Sequence, residues 1–188
     1  MAVTLNLLAL LTDREILDLT ERNPGLQIEQ GPSGELILTH IGAQTSLREA
    51  SLGGQLFQWA KTDGRGVTFS SSAGFRLPDG SLFSPDASWL RRDRWDSLTR
   101  EQQKGFAPVC PDAVFEILTR HGPFYDLRTK MRNYVVNGAR LAVLVDPERR
   151  AVEIYAPGRE VETVKRASTM SFDPILPSFT LDLAPIFE

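Results

Sequence analysis

One cysteine in 188 residues, Cys110, excludes an intrachain disulfide and leaves a single chain without the thiolates for a Cys-based zinc site. Lysine is almost as scarce, with four copies against seventeen arginines. Positive charge is not in excess either: the net charge of −3 lacks the polycationic footprint of a protein that coats nucleic acid without specificity. The apolar stretch in MAVTLNLLALLTDREI has no basic segment before it and runs straight into charged residues, so it reads neither as a signal peptide nor as a bilayer span. Internal repeats and low-complexity segments are also missing. These absences lead us to expect a cytoplasmic protein in a reducing compartment, without membrane attachment.

What is present is ordinary in bulk and informative in detail. A hydrophobic fraction of 41% and a charged fraction of 24% suit a soluble globular protein. With no break in composition, we expect one domain over residues 1–188. Thr12-Asp13-Arg14-Glu15 fits a capping box ahead of a helix stopped by Asn23-Pro24-Gly25. LQIEQGPSGELILTH reads as two strands around a turn. A second helix is expected over TSLREASLGGQLFQWAKTDG, with Leu47, Leu52, Leu56 and Trp59 at helical spacing and Gly64 at its end. Extended pieces around Pro78-Asp79-Gly80 come next, then a polar helix near residues 98–104. A strand at PDAVFEIL leads to a helix over Tyr125 to Asn137, a hairpin in ARLAVLVDPERRAVEIYAPG, and the strand EVETVKRA. The tail, with three prolines, closes in a docking segment, LDLAPIF. The order gives α+β: a mixed sheet flanked by helices.

The strand from Ala113 to Leu118 carries the first chemical clue. It is apolar throughout except for Glu116, and an unpaired carboxylate in a buried strand costs several kcal/mol or takes up a proton. Val114, Glu116 and Leu118 share one face, as does Asp112, but Asp112 lies roughly 13 Å from Glu116 and cannot share a small ion with it. Asp86, in SPDASWL, is a better partner, because it opens an apolar strand without a turn glycine. Asp79 has a turn role beside Gly80. Lys130 falls about 40° from Tyr134 on a helical wheel, flanking the inward stripe of Leu127, Met131, Tyr134 and Val135, with Arg128 and Arg132 elsewhere. The plain alternative for such a lysine is a stem on the core and an amine in water.

Asp86, Glu116 and Lys130 resemble the constellation of PD-(D/E)XK nucleases, except that Leu118 stands where the usual strand lysine would be. The displaced lysine and the pieces GFRLPDGSLFSPDASWL, RWDSLTREQQKGFAPVCPDAVFEIL, KMRNYVVNGARLAVLVDP, VEIYAPG and ILPSFTLDL resemble the Uma-two family of restriction endonucleases in that superfamily. The resemblance implies a restriction-endonuclease-like core with an N-terminal helix-hairpin-helix extension. It further implies a Mg²⁺- or Mn²⁺-dependent endonuclease acting on DNA, with Asp86 and Glu116 as metal ligands and Lys130 as the third catalytic group. Mg²⁺ prefers oxygen ligands and keeps several waters, so two carboxylates suit it.

Other residues enter as weaker expectations. Glu29 and Glu49 could complete the metal environment, or could be solvated carboxylates. His121 stands in TRHG, where the family more often carries a Ser-Pro-Ser-like turn, and could join Arg120 and Arg128 in phosphate contacts. His40 reads as structural. Arg91, Arg92 and Arg94 form either a backbone-binding rim or a solvated loop. A homodimer is plausible for an enzyme that cuts two strands, with LNLLALL as a candidate contact. The alternative function is a catalytically inactive nuclease-fold protein that binds nucleic acid or a protein partner. A hydrolase using two carboxylates as acid and base gives Lys130 no role.

Overall fold

The computed structural model describes residues 2–7, 9–40, 42–118 and 127–188. The chain opens with β1 (Ala2–Asn6) and α1 (Asp13–Arg22), and Thr12 caps α1 through the expected reciprocal bonds with Glu15. The hairpin of β2 (Leu26–Gln30) and β3 (Glu35–His40) follows. Then α2 (Ala43–Asp63) runs 21 residues to Gly64, whose φ of 71° supplies the left-handed residue that closes it. Leu52, Leu56 and Ala60 face the core, but Leu47 is 69% exposed. Five residues turn a helix about 140° past a full revolution, which takes Leu47 off the stripe that starts at Leu52.

Four strands come next: β4 (Gly66–Ser70), β5 (Phe75–Arg76), β6 (Leu82–Phe83) and β7 (Ala87–Arg91). Asp79 makes its turn between β5 and β6 by accepting from both the amide and the hydroxyl of Ser81. A short helix that the sequence did not announce, α3 (Arg92–Asp96), precedes α4 (Arg100–Lys104). The strand β8 (Ala113–Ile117) is followed by α5 (Leu127–Val136), β9 (Leu141–Asp146), β10 (Ala151–Tyr155) and β11 (Glu162–Lys165). The tail contains more than a docking segment. It forms the hairpin β12 (Thr169–Phe172) and β13 (Leu176–Asp182) before α6 (Ala184–Phe187). Pro177 masks β13 at the level of sequence, yet a proline near the start of a strand in a two-stranded sheet removes no central ladder bond.

Among the described residues the strands form a six-stranded sheet in the order β11-β10-β9-β8-β7-β4, a five-stranded sheet in the order β1-β3-β2-β6-β5, and the β12-β13 hairpin. The larger sheet is mixed, because β8 and β9 run parallel while its other neighbours are antiparallel. A parallel pair needs a crossover, and α5 lies on that connection. Alternation along β8 divides the core. Ala113, Phe115 and Ile117 join the apolar layer under α2, α6 and β13, while Val114 joins the layer under α5 with Met131 and Tyr134. Glu116, two residues from Val114, is on the α5 face.

The N-terminal helix, hairpin and helix occur in the expected order, but they are not an appended unit. β2 bonds to β6 at Gln30 and Leu82, and α2 packs on β4, β7, β8 and β13. The run LNLLALL (residues 5–11) gives only its first two residues, Leu5 and Asn6, to β1, an edge strand whose Val3 and Leu5 are each 45% exposed.

Candidate active site

Asp86 stands one residue before β7. The antiparallel ladder pairs Ala87 with Phe115 and Ser88 with Val114. One further step sets Asp86 opposite Glu116 on the same face, as a cross-strand pair of like charge. The Asp86 Oδ2 accepts a hydrogen bond from the Ile117 amide at 2.7 Å, which fixes the carboxylate at the end of the ladder. That anchor explains why an aspartate opens this strand without a turn glycine beside it.

Glu116 is 4% exposed, and Lys130 is 3% exposed. The Lys130 Nζ lies 2.6 Å from Glu116 Oε1 and donates to both oxygens of Glu29, at 2.8 and 3.0 Å. The helical wheel places this lysine at the edge of the buried stripe. It lies within the stripe instead, because Leu127, Lys130, Met131 and Tyr134 repeat at the spacing of one helical face. A cation so placed cannot reach bulk water along its stem, so it needs carboxylate partners. The rings of Phe83 and Tyr134 add to its surroundings, with centroids 5.3 and 5.9 Å from Nζ. Tyr134, expected only as a core residue, also donates its hydroxyl to Glu116 Oε1 at 3.2 Å.

Glu29 and Glu49 are both buried, which removes the solvated alternative for each. Glu29 Oε1 accepts from the Ser84 amide at 2.6 Å as well as from Lys130. Glu49 accepts from the Ser71 hydroxyl at 2.9 Å. The signal that could have raised Glu29 is the same one that raised Glu116: a carboxylate at a buried position of a strand, next to Ile28.

Two carboxylates, Glu29 and Glu116, therefore share one ammonium, and the charges of Glu116 and Glu49 act on Asp86 nearby. Burial pushes the Asp86 carboxyl well above its usual range, and the charges of Glu116 and Glu49 push it further. Glu116 rises to about 7: burial lifts it, Lys130 opposes, and Glu29 adds to the rise. For Lys130, burial works against the charge, but Glu116 and Glu29 outweigh it and the ammonium is held far above its ordinary range. Tyr134 is raised well above its usual value, first by burial and then by Glu116, so its oxygen keeps its proton and acts as a donor.

The other expected contacts fall elsewhere. Arg128 is held by Glu153, its Nε 3.0 and 3.1 Å from the two carboxylate oxygens. Arg91 pairs with Asp93, and Arg94 lies 3.0 Å from Asp112, so two of the three clustered arginines already have acidic partners. Asp112 is structural, because it also accepts from the Arg91 amide at 2.9 Å. His40 sits at the exposed end of β3. Arg120 and His121 lie outside the described residues.

A family model, Uma2, described as "Putative restriction endonuclease", matches residues 13–184. The chain belongs to the Uma2 family. Its fold is similar to the crystal structure of "a putative nuclease belonging to DUF820" from Anabaena variabilis, with a TM-score of 0.75, 19% identity, and coverage of 94% of this chain and 97% of that one. At this identity the likeness speaks for the fold. Among curated proteins, none matches the chain.

A metal ion is the group that such a family implies, and the donor set of this Uma2 chain fits one. Asp86 Oδ1 and Glu116 Oε2 take none of the hydrogen bonds described above, and a carboxyl that burial and the Glu116 charge push upward is relieved by a divalent cation. Among the described residues no three His, Cys, Asp or Glu side chains gather to hold an ion. The protein share from these residues would then be two carboxylates, with water and phosphate completing an octahedral shell, as Mg²⁺ prefers.

Proposed function

We propose that the chain is a metal-dependent endonuclease that hydrolyses phosphodiester bonds of DNA, with Asp86 and Glu116 as ligands of Mg²⁺ or Mn²⁺ and Lys130 beside them. One observation carries this reading: a like-charged carboxylate pair across two adjacent strands, with its lysine already committed to Glu116 and Glu29. A pair serving stability alone would find a cation of its own, whereas these two acids share one lysine with Glu29 and are otherwise relieved only by taking up protons. Membership of a family described as restriction endonucleases gives the reaction class.

The bound ion would supply Lewis-acid polarisation of the phosphate and a more acidic attacking water. The chain's own groups have separate tasks. Asp86 is set by the Ile117 amide, so one of its oxygens is turned to a fixed place. Glu116 is held by the Lys130 ammonium and the Tyr134 hydroxyl, both at Oε1. Lys130 stays charged, so it offers positive potential next to the phosphate rather than a base. Tyr134 likewise remains a donor and keeps Glu116 from rotating.

Titration of Mn²⁺ by calorimetry tests the reading without assuming a substrate. The wild type binds, and Asp86→Asn and Glu116→Gln each lose that binding. Plasmid nicking in Mg²⁺ disappears in the same two variants. A wild type that binds no ion at millimolar concentration, with or without DNA, sinks the proposal.

A further inference from the structure

A cavity of about 530 Å³ opens beside the carboxylates, between β2, the start of α2 and the loop after β4. Its volume is within the range of about 300–1,000 Å³ typical of small-molecule sites. Gln27, Glu49, Ser71, Ser72, Ser84 and Phe106 are among its walls, and no lysine, arginine or histidine lines it among the described residues. The cavity and the ion pair share a wall, because the Ser84 amide that holds Glu29 belongs to a residue lining the cavity.

The lining chooses its ligand by exclusion. A phosphate would meet the Glu49 carboxyl with no cation to offset it, so this is not part of a backbone track. A neutral planar group with donors and acceptors along its edge fits better. Phe106 offers an aromatic ring. Gln27 points its amide nitrogen at the carbonyls of Ser84 and Ser71, at 3.0 and 3.4 Å, which orients the side chain and leaves its oxygen as an acceptor. The Ser71 hydroxyl binds Glu49 at 2.9 Å and so fixes that carboxyl as well. These are hydrogen-bonding groups on rigid supports beside an aromatic side chain.

Resting on the nuclease reading above, we propose that this cavity takes an unstacked nucleobase of the nucleotide next to the phosphate being cut, so that the substrate is DNA with an unpaired base. A matched duplex hides its bases in the stack, and bringing one out costs a few kcal/mol, least where the base is already unpaired. Single strands and bulges therefore meet the site ready to bind, whereas matched duplex, a plasmid included, must first open a base and binds less well.

The test is fluorescence anisotropy with the Asp86→Asn protein in Mg²⁺. Four labelled probes of one length are compared: a single strand, a bulged duplex, a matched duplex, and a single strand whose sugars carry no bases. The single strand and the bulged duplex bind at least about tenfold more tightly than the other two, as expected for one base stacked on protein. Ser72→Trp, at an exposed edge of the cavity, removes that preference by filling the space. Phe106→Ala weakens it, but Phe106 also packs against buried residues, so the Ser72 variant decides. Equal binding of the base-free strand, or a preference unchanged in Ser72→Trp, overturns the cavity assignment. A preference for the single strand alone, without the bulge, overturns the bulged-duplex half of the proposal and assigns the cavity to free strands. Cleavage by the wild type is scored separately. If no nucleic acid is cut while base-dependent binding persists, the nuclease reading fails and the cavity stands. Cleavage without base-dependent binding keeps the nuclease reading and removes the cavity from it.

Discussion

The strand β8 carries a buried carboxylate at each end, and the two are solved in opposite ways. Asp112, just before the strand, meets the Arg94 guanidinium at 3.0 Å and the Arg91 amide at 2.9 Å. Charge and hydrogen bonds close there, and the aspartate ties α3 to the sheet. Glu116, near the other end and on the same face, shares its lysine with Glu29 and faces Asp86 across the ladder. Charge there is left over. A buried ionic group is thus no sign of function by itself; the sign is a cluster whose charges do not balance.

Substitutions can break this contrast. The largest effect falls on activity: Asp86→Asn or Glu116→Gln lowers plasmid nicking at least about a hundredfold, as loss of a group that stabilises transition-state charge does. Asp112→Asn leaves the rate of the folded protein within about threefold in the same assay, since its bonds hold α3 rather than the reacting centre. The next effect is on stability. Lys130→Met strands Glu29 and Glu116 without a cation and costs about 3–5 kcal/mol in a urea melt. Adding Glu29→Gln returns part of that loss. At the closed end, Asp112→Ala costs about 1–3 kcal/mol by the same melt, because it leaves the Arg91 amide without its acceptor.

Acid titration sharpens the contrast further. Glu116 binds its proton more tightly when folded, with a value of about 7 against 4.5 in the absence of the fold. Between those values the native state holds more protons than the unfolded chain, so the metal-free protein loses stability as pH rises through this window. Thermal melts from pH 5 to pH 8 should show the fall, and Glu116→Gln should flatten it. On the proposed metal site, saturating Mn²⁺ flattens it too, because the ion would take the proton's place. The smallest effect is that of Arg128→Ala. Its pair with Glu153 is partly exposed and is worth under about 1 kcal/mol.

The sequence makes Glu116 conspicuous because a charged residue interrupts a strand that is otherwise apolar. Asp86 is readable because a lone Pro-Asp opens such a strand. Lys130 is legible in direction but not in depth, since a wheel gives the face and not the height of the neighbouring strands. Glu29 is about a hundred residues from Lys130 in sequence, and no local pattern announces a pairing of that kind. The β12-β13 hairpin is obscured by its prolines, and α3 is hidden in a run of arginines and aspartates that reads equally well as a loop. Periodicity carries most elements; what it cannot carry is partnership between distant ones.

The 101 residues that separate Glu29 from Lys130 have a consequence in time. During synthesis the three acids Glu29, Asp86 and Glu116 leave the ribosome before Lys130 does. The dry, unbalanced cluster comes into being only when α5 packs onto the sheet, late in the life of the nascent chain. A chain that ends before Lys130 carries all three acids without their shared cation. The completed fold is the cluster's own condition for existing.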